Sequence, residues 1–321
     1  MKFQMGDATD ILILLLPVVL FLYGLINLPK NAGCIMGSAH AERRGMYVFE
    51  RSTSNLTLAL KMGNQPSPSD DANNLLRQLL SSYNPDYGLG HMSPSIYDTA
   101  WVSMVLKNGS WLFPSAFQYI LKLQAGSGAW ESQSPSPIDA ILNTLASLLT
   151  LKVHNTGGQF DESISRATAF LSSSFGSWDV SSTDRVGFEV IVPSLLNALS
   201  KLGVDFSFPQ RLLLMDLNDA TLARIPPRAV YDLGTPLLHS LEGLIGHIDF
   251  DQVAHHKRNG SFMASPASTA AYLMNASTWD DECEAYLAAV LSRSEPHDEG
   301  SVPCAWPTTF FELSWASLRQ M

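Results

Sequence analysis

Residues 93–105 read SPSIYDTAWVSMV and combine a helix start with an unusual group of side chains. Proline fits the first turn of a helix and serine can bond the free backbone N–H groups there, so Ser93-Pro94 predicts a helix start. Little more than one turn then holds an aromatic residue, an acid, a hydroxyl and an indole: Tyr97, Asp98, Thr99 and Trp101. An acid near the start suits the positive end of the helix dipole. On physical grounds alone, the stretch predicts a well-capped core helix.

The composition is that of a globular protein with a weakly charged surface. The chain has 321 residues, of which 46% are hydrophobic and only 16% are charged, and its net charge is -10. This acidic balance, without any run of Lys or Arg, argues against nucleic acid as a partner. The cysteines Cys34, Cys283 and Cys304 are odd in number and lack CxxC spacing. They therefore indicate neither a disulfide framework nor a zinc site, and they favour a reducing compartment, the cytoplasm.

Residues 11–28 form an almost wholly apolar segment, ILILLLPVVLFLYGLINL. The segment is just long enough for a marginal membrane span or a long signal-peptide core. Because Lys30, Arg43 and Arg44 follow it, the positive-inside rule would keep the body of the protein on the cytoplasmic side. Residues 1–29 are therefore a membrane anchor, an apolar leader that is not used, or the product of a mispredicted first exon.

The pattern changes at residue 72. Residues 30–71, rich in Gly, Ser, Asn and Pro, predict a poorly ordered linker. Beyond them, leucines recur on one helical face, and Ser-Pro or Thr-Pro repeatedly precedes an apolar helical run. No convincing alternating strand is present, so the predicted fold class is all-α, with the many short helices of an α/α barrel. After the helix at residues 93–105, helices are predicted at residues 114–124, 138–151, 164–171, 191–203, 212–222, 236–246, 267–274 and 280–291.

One of these helices ends in a spaced motif, aromatic–aliphatic–x3–Gln–x3–Gly–x–Trp. Its members are Tyr119, Ile120, Gln124, Gly128 and Trp130. The end of a helix needs Gly to turn, Gln can bond exposed backbone groups, and Trp can stack over the junction. The motif resembles the QW repeat of triterpene cyclases and related α/α barrels. A degraded second copy is predicted at residues 255–262, with His256 in place of Gln and Phe262 in place of Trp.

The sequence YDTAW resembles the γ-domain signature of class II diterpene cyclases, the copalyl diphosphate synthase-like enzymes. Further blocks between residues 84 and 315 resemble fungal copalyl diphosphate and ent-kaurene synthases in order and spacing. They are NPDYGLGHMSPSIYDTAWVSMV, WLFPSAFQYILKLQ, IDAILNTLASLL, RVGFEVIVPSLL, TPLLHSLEGL, NGSFMASPASTAAYLM and VPCAWPTTFFELSW. The resemblance implies that residues 72–315 form a γ-like α-barrel, a domain that this family inserts into a β domain. Residues 316–321 would begin that β domain.

The resemblance also implies a reaction of terpenoid biosynthesis, of the isomerase or lyase type. An acid of a DxDD motif in the β domain protonates geranylgeranyl diphosphate, rings close to a copalyl-type diphosphate, and a base removes the last proton. The 321 residues contain neither DxDD nor the DDxxD motif of ionising synthases. We therefore expect this chain to be inactive alone and to bind the substrate only with a β domain, supplied downstream or by another chain. Whether the sequence is a truncated reading or a short protein stays open.

The resemblance assigns a catalytic base to His239, in LLHSLEG, because plant copalyl diphosphate synthases carry a His–Asn pair at this position. An imidazole titrates near neutrality and suits that role. The Asn partner would fall in VPxxxP, where this sequence has Cys304, and a thiol is a weaker hydrogen-bond partner. The departure puts the pair and the product stereochemistry in question. The alternative is a structural His239 beside Glu242.

A weaker prediction concerns Asp179 and Asp184, which precede GFE at residues 187–189. In this family the corresponding stretch is often acidic and associated with Mg²⁺ and the diphosphate. Carboxylates suit Mg²⁺, which usually takes few protein ligands and several phosphate oxygens. Mg²⁺ is therefore the expected cofactor, and the alternative is a pair of solvated loop acids.

Two other functions compete with the cyclase. One is a non-catalytic helical barrel, a pseudoenzyme or partner-binding module that folds without a β domain. The other is a glycosidase on an α/α barrel, which would need two carboxylates at a defined separation across a cleft. Nothing in the order of the sequence supports the glycosidase.

Overall fold

The computed structural model describes residues 92–131, 136–294, 298–309 and 312, together with 73–75, 77, 78 and 81. Contacts divide the chain into two compact units, and the first contains the described residues of Ser93–Trp306. The second includes helical residues between 73 and 81, in agreement with the predicted leucine-faced helix. The domain boundaries at residues 72 and 315 stay predictions. The apolar segment 11–28 lies outside the described residues, and none of the described helices is long and apolar enough to span a membrane.

The first unit is mostly helical, as predicted, and four of the nine α-helices described in it begin at a proline: Pro114, Pro137, Pro227 and Pro266. Two 3₁₀ segments, Pro236–Leu244 and Phe250–His256, stand between the seventh and eighth helices. The α-helices of this unit are α1 (Ile96–Ser103), α2 (Pro114–Lys122), α3 (Pro137–His154), α4 (Asp161–Ser177), α5 (Phe188–Lys201), α6 (Arg211–Leu222), α7 (Pro227–Asp232), α8 (Pro266–Asn275) and α9 (Asp281–Leu291).

Five of these elements contact one another in a closed order: α1 packs on α3, α3 on α5, α5 on the 3₁₀ segment Pro236–Leu244, that segment on α8, and α8 on α1. Four further helices each pack on one member of this ring, α2 on α1, α4 on α3, α6 on α5, and α9 on α8. Burial follows the same division, because nearly every residue of α1 is buried whereas α6 buries only Leu214. An inner helix is apolar on all sides, and an outer one on a single stripe.

Short strands are also present, although the sequence predicted none. Strand β1 (Pro94–Ser95) pairs antiparallel with β4 (Val302–Pro303), and β2 (Leu106–Lys107) pairs with β3 (Ser110–Trp111). The second pair is closed by Asn108 and Gly109, which have φ values of 52° and 78°. An Asn-Gly pair with positive φ at both positions is the preferred two-residue hairpin turn. The sequence therefore contained a signal for this hairpin that the helical pattern obscured.

The start of α1 differs in detail from the prediction. Pro94 lies in β1, and the N-cap is Ser95, whose hydroxyl accepts a hydrogen bond from Asp98 N at 3.2 Å. Ser93-Pro94 therefore marks the short strand that leads into the helix. At α8 the same dipeptide behaves as predicted, because Ser265 is the N-cap and Pro266 is the first helical residue.

The QW motif has the predicted geometry. Gln124 Nε2 donates to Gly128 O at 3.2 Å and to Ser163 O at 2.9 Å, and Trp130 Nε1 donates to Ile120 O at 2.7 Å. In the second copy, Phe262 is fully buried, as Trp130 is. At the Gln position, His256 does not reproduce the bonds of Gln124, because its Nε2 lies 2.8 Å from Tyr231 O instead of bonding the following turn.

The core of the repeat is a Gly-x-apolar tripeptide, found at residues 128–130, 260–262 and 300–302. In each copy the third residue donates its backbone N–H to a threonine hydroxyl of an inner helix at 3.0–3.2 Å; the pairs are Trp130 with Thr144, Phe262 with Thr269 and Val302 with Thr99. Each glycine has positive φ and lies against an outer helix. A Cβ added there would stand 2.3–2.4 Å from a carbonyl oxygen, that of Arg166, Glu282 or Ser115 respectively.

Candidate active site around the 3₁₀ segment of the inner ring

The 3₁₀ segment Pro236–Leu244 is the only non-α member of the inner ring among the described residues, and it carries His239. Its sequence has the leucine spacing of an α-helix, but Ser240 has φ -139° and ψ 48°, which interrupts the helix. The predicted helix at 236–246 is therefore a kinked 3₁₀ segment. His239 stands directly before the kink, on the element that packs between α5 and α8.

Burial controls the charge of His239. Its side chain is partly buried, and desolvation lowers its pKa from 6.5 to about 4. Burial disfavours the imidazolium form, so the ring is neutral near pH 7. A neutral imidazole has a nitrogen lone pair that can accept a proton, which is the state a general base requires.

A buried carboxyl lies three residues after His239. Glu242 is 2% exposed, and its Oε1 accepts a hydrogen bond at 3.2 Å from the hydroxyl of Tyr97 on α1. Desolvation, with a further contribution from the charge of Asp98, raises the pKa of Glu242 to about 8. Glu242 is therefore largely a neutral carboxylic acid at pH 7, so a bond between neutral groups joins α1 to the 3₁₀ segment.

Asp98 joins α1 to α8. Its Oδ2 accepts a hydrogen bond from Ser95 Oγ at 2.6 Å, and its Oδ1 accepts one from the backbone N–H of Ala267 at 3.2 Å. Ala267 lies in the first turn of α8, where a carboxylate offsets the helix dipole. Asp98 therefore bonds both the N-cap of its own helix and the start of α8. Burial raises its pKa to about 6.

Cys304 follows β4, which pairs with β1 and packs against α1 and α9. Its side chain is partly exposed by surface area, but desolvation and the nearby charge of Asp98 raise the pKa of the thiol to about 12. The thiol is therefore protonated and unreactive as a nucleophile near neutral pH. The pairing of Cys304 with His239 stays a prediction.

Asp179 and Asp184 lie in the loop between α4 and α5, and both are exposed. Asp179 Oδ1 accepts hydrogen bonds from Ser181 N at 3.1 Å and Ser181 Oγ at 2.7 Å, which lower its pKa. Both acids border a groove of about 390 Å³ that also meets the start of α3. Within the described part of the chain, no three His, Cys, Asp or Glu side chains are grouped to hold a metal. Two exposed carboxylates fit Mg²⁺ only if other oxygens complete its shell, so this site stays a prediction.

Comparison with known proteins places this arrangement in a family, although no protein-family profile matches the chain. The chain is 48% identical over 262 residues to the phyllocladan-16-alpha-ol synthase of Phomopsis amygdali, covering 77% of this chain and 26% of that protein. It is 45% identical over 255 residues to the copalyl diphosphate synthase of Talaromyces verruculosus, covering 75% and 26%.

Solved structures of similar fold belong to the same kind of enzyme. The abietadiene synthase from Abies grandis superposes with a TM-score of 0.63 at 32% identity, over 78% of this chain and 33% of that one. The ent-copalyl diphosphate synthase from Arabidopsis thaliana, in complex with (S)-15-aza-14,15-dihydrogeranylgeranyl thiolodiphosphate, gives a TM-score of 0.62 at 28% identity, over 78% and 35%. By sequence and by fold, this chain is a relative of the class II diterpene cyclases. It spans about a quarter of the length of the curated cyclases it matches.

Sequence reasoning missed two residues that bond the 3₁₀ segment. Tyr97 lies within YDTAW, but its partner Glu242 is 145 residues away along the chain. Ser268 was not singled out, although it is fully buried and bonds the segment that carries His239. A buried serine in an apolar run of SPASTAAYLM is a weak signal, because small hydroxyl residues commonly bond their own helix.

Proposed function

We propose that this chain is the γ-domain portion of a class II diterpene cyclase, with the ring of inner and outer helices as an α/α barrel. The complete enzyme would cyclise geranylgeranyl diphosphate to a copalyl-type diphosphate without ionising it. A carboxylic acid supplied by the β domain adds a proton to the terminal alkene, and a base removes one after ring closure, so the reaction is a net isomerisation. The relatives named copalyl diphosphate synthase support this assignment.

The observation that carries the proposal is the state of His239. The kinked 3₁₀ segment holds it in the inner ring, and burial keeps its imidazole neutral near pH 7. A cyclising cation is a very strong acid, so even a weakly basic nitrogen can take its proton. The low pKa also lessens the risk that the base is already protonated when substrate binds. We propose that Cys304 stands where relatives use an amide.

A chimera tests the function. The homologous stretch of the Talaromyces verruculosus copalyl diphosphate synthase is replaced by this chain's matching residues, and the product from geranylgeranyl diphosphate is identified by mass spectrometry after dephosphorylation. We expect a copalyl-type product from the chimera and none from this chain alone. His239→Ala in the chimera should lower kcat at least tenfold or divert the product, as removal of a general base typically does.

A matched control separates loss of the base from loss of folding. His154→Ala would remove a buried core histidine, so a milder control is His247→Ala, at the exposed turn after the 3₁₀ segment. It should leave rate and product unchanged. If the chimera is folded but inactive, whereas the parent enzyme is active under the same conditions, the cyclase proposal for this chain is wrong. The non-catalytic barrel would then be the better assignment.

A further inference from the structure

We propose that Ser268 is a positioning residue for His239, acting through the kink of the 3₁₀ segment. This inference rests on the proposed function for its catalytic meaning, but its structural part can be tested separately. Ser268 is fully buried on α8, and its hydroxyl makes two hydrogen bonds to the 3₁₀ segment.

The two bonds are made to backbone groups on either side of His239 in the sequence. Ser268 Oγ donates to Leu238 O at 2.7 Å and accepts from Leu241 N at 3.3 Å. In a regular 3₁₀ turn, the N–H of residue i+3 pairs directly with the C=O of residue i. The hydroxyl therefore bonds both members of the pair that spans His239 and Ser240. It satisfies both groups at the point where Ser240 leaves helical geometry.

Ser268 is itself fixed on the α8 side. Its backbone N–H donates to the N-cap hydroxyl of Ser265 at 3.2 Å, and the preceding Ala267 N–H donates to Asp98 on α1. The first turn of α8 is thus bonded both to its own cap and to the neighbouring inner helix. A rigid donor of this kind can set the backbone direction at His239 with little freedom of its own.

Two further side-chain hydrogen bonds reach the 3₁₀ segment after the kink. Ser194 Oγ on α5 donates to Glu242 O at 2.9 Å, and Tyr97 donates to the Glu242 carboxyl. These bonds fix the segment beyond His239, whereas Ser268 also bonds Leu238, the residue immediately before it. Removing the Ser268 hydroxyl should therefore release the backbone at His239 while the segment after the kink stays anchored.

The test uses the full chain and the side-chain NMR signals of its histidines, with the His239 signal assigned from a His239→Gln variant. In Ser268→Ala, we expect the His239 ring resonances to shift and broaden, because the ring samples more than one orientation. Ser268→Thr keeps a hydroxyl and should restore the native signals at least in part. Ser268→Cys keeps the shape of the side chain with a somewhat larger and weaker donor, and it should displace the signals even if the alanine variant does not fold.

The matched control is Ser261→Ala, which removes another buried serine hydroxyl, one that donates to Arg258 O at 3.1 Å. It should lower stability without moving the His239 resonances. If Ser268→Ala and Ser268→Cys leave those resonances unchanged, Ser268 only supports packing and the proposal is overturned. That result would not affect the proposed function.

A second readout in the chimera tests the catalytic part. Because misplacement of a reacting group by about 1 Å can cost on the order of a hundredfold in rate, Ser268→Ala should lower kcat tenfold or more with little change in KM. Equal kcat in a folded Ser268→Ala chimera would overturn the positioning role. An inactive parent chimera would instead refute the proposed function, and the NMR result would still decide whether Ser268 orients His239.

Discussion

Replacing Glu242 by Gln removes a buried acid that the structure holds mostly protonated at neutral pH. The pKa of Glu242 is raised from 4.5 to about 8, first by desolvation and then by the negative charge of Asp98. Between these two values the folded chain binds a proton that the unfolded chain has lost. The free energy of unfolding therefore falls as pH rises through this interval, and the stabilising contribution is complete only below pH 4.5.

The size of the effect follows from the width of the interval. At about 1.4 kcal/mol for each pH unit, the interval from 4.5 to about 8 corresponds to a loss of roughly 5 kcal/mol. Other groups overlap with its lower part. Asp98, raised from 3.8 to about 6, acts in the same direction, whereas His239, lowered from 6.5 to about 4, adds stability as pH rises from 4 to 6.5.

The window from pH 6.5 to 8 therefore isolates Glu242 from these two neighbours. Across it, the wild-type chain should lose about 2 kcal/mol more stability than Glu242→Gln. Glu242 Oε2 is buried and bonds none of the described residues. An unsatisfied donor therefore stands there in both chains, the O–H of the protonated acid and the N–H₂ of the amide, and each costs about 1–3 kcal/mol, so the two costs need not be equal. The comparison consequently uses slopes against pH, not absolute stabilities.

Urea unfolding followed by tryptophan fluorescence at half-unit steps of pH measures these slopes. Glu189→Gln, on the partly exposed start of α5, controls for the Glu-to-Gln change itself and should keep the wild-type slope. Parallel curves for wild type and Glu242→Gln across pH 6.5–8 would show that Glu242 is already ionised in the folded chain. The neutral bond to Tyr97 would then be wrong, and with it our account of how α1 holds the 3₁₀ segment.

Three further predictions concern the Gly-x-apolar repeat, the proposed pairing of Cys304 with His239, and the loop that carries Asp179 and Asp184. Replacing Gly128, Gly260 or Gly300 by Ala should lower the free energy of unfolding in urea by at least about 2 kcal/mol more than Gly109→Ala does. Gly109 is the control because it also has positive φ, but an added Cβ there would have nothing within 4 Å. Equal losses would mean that the close backbone approach has no energetic weight. Cys304→Asn in the chimera should raise the rate of copalyl-type product formation or change the product's stereochemistry, since an amide both donates and accepts hydrogen bonds more strongly than a thiol. An unchanged rate and product would mean that Cys304 does not act with His239. Mn²⁺, used as a paramagnetic probe for Mg²⁺, should broaden the NMR signals around Asp179 and Asp184. Replacing both acids by Asn should abolish this broadening, whereas replacing the exposed Asp216 and Asp219 of α6 by Asn should not. Identical broadening in the two double variants would refute a metal site in the loop.

Local patterns predicted the helices well because the signals that start and end them are local. Pro114, Pro137 and Pro266 each stand at the start of a helix as predicted, and Gly203 closes α5 with φ 76°. The bonds from Gln124 Nε2 to Gly128 O and from Trp130 Nε1 to Ile120 O were also predictable, since these partners lie within ten residues along the chain. These features depend on the order of residues over one or two turns, which the sequence displays directly.

The segment Pro236–Leu244 shows why the site itself was harder to predict. Its leucines have the spacing of an α-helix, but the conformation is decided by hydroxyl groups far along the chain: Ser268 on α8, Ser194 on α5 and Tyr97 on α1. Each of these groups bonds the segment from a different neighbour in the inner ring. Tertiary contacts thus override the local helical preference at the one inner element that carries a candidate base.

The 3₁₀ conformation of Pro236–Leu244 has a chemical consequence. A regular α-helix in the inner ring would bond its own backbone groups, and its side-chain directions would follow from helix geometry alone. A kinked 3₁₀ segment instead takes its direction from its neighbours, so the orientation of His239 depends on α1, α5 and α8 together. Small changes in any of them can then move the base relative to a bound cation. On this argument, differences in product among related cyclases should depend on residues such as Ser268 that bond the 3₁₀ segment, as well as on residues that contact the substrate.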